Sequence, residues 1–100
     1  MIIYNVTCRV SNRVKDEWLQ WMQRNHMPDM MATKCFVDSK ICRVLGEDET
    51  TDTTFACQYR CKDLQAFQLY QQHYGDKMRK EHKAKFGVSV AAFRTLLEEL

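Results

Sequence analysis

Two histidines carry the chemistry this chain is best equipped for. His26 and His82 have side chains whose ordinary pKa lies near neutrality, so an imidazole here can act as a general base toward a phenol or enol, or ligate a haem iron. Trp18, Trp21, Tyr59, Tyr74 and Phe86 recur at spacings that would wall a cleft around them. An apolar wall of that kind lowers an imidazole's pKa and leaves it neutral at pH 7. Arg94 interrupts the apolar run AAFRTLL, where a buried charge needs a partner. The competing reading makes each histidine a helix-end residue bonded to backbone, and makes Arg94, like Arg43, Gln58 and Arg60, a strand residue that pairs structurally.

The elements that position these residues can be read from period and punctuation. Residues 14–26 show apolar Val14, Trp18, Trp21 and Met22 at spacings of three and four, an amphipathic helix leading to His26. Ser11 or Asn12 can cap it, and Asp16 and Glu17 suit its first turns. Pro28 has no backbone donor and disfavours helical dihedrals at Met27, so the helix is expected to end near His26, at a corner after which Asp29 opens a second short piece. A second helix follows Asp63, with inward positions Leu64, Phe67, Tyr70, Tyr74, Met78, His82 and Phe86, a kink or restart at Gly75 with Asp76 as a new cap, and Gly87 as the C-cap.

Strict alternation marks strands over residues 2–10, 36–45, 54–61 and 89–98, with the acidic stretch GEDETTDT forming an exposed hairpin loop between the second and third. The order strand, helix, strand, strand, helix, strand predicts a ferredoxin-like α+β fold: a four-stranded antiparallel sheet with both helices on one face. The other face is then bare. Ile3, Ile41 or Val44 and alternate residues of the last strand would stand in water there, a pattern that predicts a homodimer packed sheet on sheet. Pairing the second and third strands would bring Cys42 near Cys57 on one face.

Composition narrows the class. One hundred residues make a single domain, with no linker. A net charge of +2 and a pI of about 8.3 make neither nucleic acid nor an anionic membrane the expected partner. The start MIIYNVTCRV lacks the features of a secretory signal, so a cytoplasmic location is expected. Five cysteines, an odd number and with no CxxC pair, read as reduced, small, mostly buried thiols rather than a disulfide or zinc framework. An RNA-binding module shares the topology and would stack bases on Tyr4, Phe55 and Tyr59, but the third strand lacks the basic and glycine start of that signature.

The stretches MIIYNVT, WLQWMQRNHMPDMMAT, CRVLGED and HKAKFGVSVAAFRTLLEE resemble a small bacterial family of uncharacterised proteins known only as a domain of unknown function. The resemblance runs nearly the full chain. It implies a dimeric α/β-barrel protein of the ferredoxin-like type, a superfamily that includes cofactor-free quinone-forming monooxygenases and haem-degrading oxygenases. No motif of those oxygenases matches here, so the resemblance carries over no catalytic residue and no cofactor. A compact, partly aromatic ligand between sheet and helices is the expectation that joins it to the residues.

Overall fold

The central strand is β1 (Ile2–Ser11), whose alternating pattern lets it bury one face and pair on both edges. In the computed structural model, which describes residues 1–100, β3 (Asp52–Cys61) and β4 (Val90–Glu98) flank it, both antiparallel. β2 (Asp38–Arg43) adds to β3, giving the order β2-β3-β1-β4. β2 is shorter than its alternation suggests, although Val37 and Val44 still donate backbone hydrogen bonds to β3 carbonyls at either end. Phe36, just ahead of it, sits in the core among Tyr4, Tyr59 and Tyr70. This is the expected ferredoxin-like arrangement.

Two helical stretches cover one sheet face. The first joins α1 (Lys15–Trp21) to α2 (Met27–Ala32), and the second joins α3 (Leu64–Tyr70) to α4 (Asp76–Phe86). Asp63 caps α3 as expected, accepting from the Ala66 amide at 2.8 Å, and Gly87 ends α4 at φ +52°, a conformation that favours glycine. Neither Ser11 nor Asn12 caps α1 through its side chain. Asn12 instead ties the strand end to the hairpin loop, donating to the Glu49 carbonyl and accepting from Thr53.

The expected break at Pro28 does not occur. A π-helical turn, Met22–His26, bridges α1 and α2, and the Met27 amide bonds to the Met22 carbonyl five residues back. Pro28, which has no donor to give, follows directly after this π turn, and Met27 keeps helical dihedrals of −65° and −42°. A second π-helical turn, Gln71–Gly75, bridges α3 and α4 in place of a restart. Asp76 therefore lies inside a continuous helical run, where it pairs with Arg79 and Lys80.

Each π turn adds one residue to the α-helical count, which changes which side chains face the sheet. After Tyr70 the next inward position is Gly75, and Tyr74, expected inside, is exposed. Met78 and Phe86 are buried as expected, whereas Leu64 at the helix start is half in water. Trp18 is fully buried against Phe55, with ring centroids 5.0 Å apart.

The register assigns the sheet faces. Ile41 lies opposite Cys57 and Cys42 opposite Ala56, so Ile41 faces the helices, and Cys42 and Cys57 lie on opposite faces. The expected proximity of those two thiols is therefore wrong, and all five cysteines are free. Tyr4, Phe55 and Tyr59 are all buried under the helices, which leaves no aromatic platform on the two central strands of the open face. That face carries Ile3, Phe93 and Leu97, with Phe93 64% exposed. No helix is long and apolar enough to cross a membrane.

Trp18→Ala should cost roughly 3 to 5 kcal/mol of stability, because it removes a large buried aromatic from between sheet and helices. Urea denaturation followed by circular dichroism measures this, and a loss under about 1 kcal/mol would contradict the packing.

Candidate functional site

A cavity opens between the helices and the β1/β4 side of the sheet. Tyr4, Val6, Cys8, Cys57 and Tyr59 form its floor, the helices contribute Met22, His26, Met30, Tyr70, Met78, Arg79 and His82, and Ala92 and Arg94 come from β4. The cavity measures about 400 Å³ with the open mouth counted, of which about 30 Å³ is free to the centre of a water molecule, room for a water or two. Three of its walls are methionines, which change shape at little cost.

The two histidines meet here. Their ring centroids are 6.1 Å apart, at 63°. His26 closes the first π turn, four residues after Met22 on the same inward face, and Trp21 stacks on its imidazole at 5.1 Å. His26 is a buried mid-helix residue, not the helix-end residue of the competing reading. His82 accepts a 2.9 Å hydrogen bond at Nε2 from the Trp18 indole N–H. A protonated ring would turn that acceptor into a second donor facing the first, so the bond holds His82 neutral with its proton on Nδ1.

The electrostatics agree. Burial lowers the His26 pKa to about 4, assisted by Arg94 and opposed by Asp29. Burial likewise lowers His82 to about 4, assisted by His26 and by Arg94. Two buried polar atoms have no hydrogen-bond partner, His26 Nδ1 and the Tyr59 hydroxyl, and both residues line this cavity. Burial also pushes the Tyr59 hydroxyl well above its ordinary pKa, so it stays protonated and able to donate.

The expected aromatic walls divide. Tyr59 lines the cavity; Trp18, Trp21 and Phe86 stand behind the histidines and orient them, with Phe86 5.7 Å from His82 and 5.5 Å from Trp21. Tyr74 is outside the site. Arg94 faces the cavity from an exposed position, and its only side-chain partner is the Tyr4 hydroxyl, to which its Nε donates at 3.1 Å. Arg43 and Arg60, by contrast, pair with carboxylates, and Gln58 bonds to Asn5. Sequence reasoning did not single out Met22 as a lining residue, although its helical spacing turns it inward, nor Met30 and Arg79, which follow the π turns, and those turns leave no compositional mark.

No three His, Cys, Asp or Glu side chains converge closely enough to hold a metal ion. Haem does not fit the cavity as it stands: His82 Nε2 is engaged by Trp18, and although His26 Nδ1 is free, no porphyrin-sized slot opens onto it, the whole depression measuring about 400 Å³ with its mouth counted.

Sheet order and helix placement define a ferredoxin-like α+β protein. More particularly, the chain belongs to the family described as a domain of unknown function, DUF4286, whose model matches residues 1–100. No curated protein matches it. Among solved structures, an ethyl tert-butyl ether degradation (EthD) family protein from Bacillus halodurans superposes with a TM-score of 0.68 at 16% identity, over 100% of both chains. A dimeric ferredoxin-like protein from an uncultured marine organism gives 0.69 at 9% identity, over 99% of this chain and 97% of that one. SnoaB, a cofactor-independent oxygenase from Streptomyces nogalater, gives 0.65 at 13%, over 98% and 92%. At these identities the likeness establishes the fold alone.

Stability should fall as pH drops from about 6.5 to about 4. Both folded imidazoles have depressed pKa values, so in that window the unfolded chain binds more protons, and the stability present above it is lost through it. Each histidine contributes a slope of at most about 1.4 kcal/mol per pH unit, less for the more accessible His82. Urea midpoints measured across this range check it, and a flat profile would mean that the imidazoles are not held neutral.

Proposed function

We propose that this chain is a small-molecule-binding protein of the cytoplasm, acting as a homodimer of the dimeric α/β-barrel type, with the cavity beneath His26 and His82 as its ligand site. The unpartnered polar atoms carry this reading. A buried donor or acceptor left without a bond costs roughly 1 to 3 kcal/mol, and a fold that keeps two of them on one cavity favours a ligand that completes them. Trp18, Trp21 and Phe86 then serve as the rigid backing that fixes both imidazoles, and a compact, partly aromatic molecule suits the methionine-lined walls.

An oxygenase-like enzyme is the second reading, supported by two free-base imidazoles next to a hydroxyl donor. A base of pKa about 4 is weak for this task. Taking a proton from a phenol of pKa about 10 would be uphill by some six units, or about 8 kcal/mol. Binding by hydrogen bonds is therefore preferred over proton abstraction, unless the substrate is itself acidic.

The dimer reading rests on Ile3, Phe93 and Leu97 on the open face, and on β4, which beyond Val90 is exposed along its length. An interface there would cover apolar surface that a lone chain leaves in water. Solved relatives described as dimeric add support.

Tyr59→Phe separates stability from function. Removing an unpaired buried hydroxyl should raise stability by about 1 kcal/mol while weakening any phenol or quinol that shifts the wild-type thermal midpoint. His26→Gln should weaken the same compound. If no compound shifts the wild-type midpoint and Tyr59→Phe destabilises, the ligand-site reading fails. Light scattering at micromolar concentration should give twice the 11.9 kDa chain mass, and Phe93→Glu should give a folded monomer; a monomeric wild type would defeat the dimer.

A further inference from the structure

We propose that the cavity takes a small organic anion, a compact monocarboxylate with an apolar or aromatic body, its carboxylate held at the mouth by Arg94 and Arg79. The proposal rests on the reading of this cavity as a ligand site and adds the charge of the ligand. Two guanidinium groups line the cavity and no aspartate or glutamate does. Arg94 forms no ion pair and its side chain bonds only to the Tyr4 hydroxyl, through Nε, which leaves its outer nitrogens free for an anion. Guanidinium matches a carboxylate in a planar, two-point geometry.

Arg79 is placed with some care. Its Nη2 donates to Asp76 at 3.2 Å, and its Nη1 lies 3.0 Å from where a Cβ on Gly75 would stand. Gly75 has ordinary helical dihedrals, and a Cβ there would meet only the end of the Arg79 side chain, which would have to move by a few tenths of an ångström. His26 is neutral and the Tyr59 hydroxyl protonated, so neither adds charge to the cavity. Asp29, the acid that acts on His26, does not line the cavity. The arrangement is amphiphilic: cations at the wet rim, and apolar and hydrogen-bonding groups below.

Benzoate and benzamide test the charge at nearly constant shape. By calorimetric titration of the wild-type protein, benzoate should bind at least about tenfold more tightly than benzamide, and the preference should shrink as salt is raised. Arg94→Gln should abolish the preference, and Arg94→Lys should restore part of it. Gly75→Ala should weaken benzoate alone without lowering the thermal midpoint, because helix propensity favours alanine there. If benzamide binds as well as benzoate and His26→Gln weakens both, the anion proposal is overturned while the ligand site stands. If neither binds in the millimolar range, both fall.

Discussion

Each helical stretch of this protein contains one residue more than α-helical spacing allows, and the site follows from where that residue is absorbed. A π turn widens the helix locally and sets back the side-chain pattern beyond it. In the first stretch this turn ends on the inward-facing His26 and lets the chain pass Pro28 without a break. In the second it puts Gly75 where Tyr74 would have been, and Arg79 fills the room that the missing side chain leaves.

The Trp18 to His82 hydrogen bond joins these stretches above the sheet. It settles a tautomer, opposes protonation and fixes a ring that would otherwise rotate. Trp21 and Phe86 complete the support, so the aromatic stripe holds the imidazoles in place and leaves contact with the cavity to them. Burial then keeps both imidazoles neutral, and the positive charge near them belongs to Arg79 and Arg94. Polar groups held this way reduce stability in favour of a defined arrangement, a common mark of binding sites.

The sheet is asymmetric. Its centre, β1 with β3, is covered by helices on one side and lined there by aromatic rings. β4 is left exposed beyond Val90 and forms one lip of the cavity through Ala92 and Arg94. The cavity and the bare apolar face therefore share one strand, with alternate residues serving each. Solved proteins with the same fold and little shared sequence show that the scaffold tolerates many side-chain sets. Membership in the DUF4286 family adds no chemistry of its own.

Period-two alternation, helical spacing, Asp63 and Gly87 were enough to place four strands and two helical stretches, because backbone periodicity and turn chemistry are local properties, and their order along the chain pointed to the ferredoxin-like fold. His26, His82, Tyr59 and Arg94 were legible as site candidates for a related reason: polar or ionisable side chains inside apolar patterns stand out one by one. The π turns were not legible, since an inserted residue has no composition of its own, and Tyr74, the Pro28 corner and the Asp76 cap were misread together. Strand register was not legible either. It placed Ile41 under the helices and Cys42 away from Cys57, because which residues face each other depends on how far one strand slides along the next, and only packing across the whole sheet decides that.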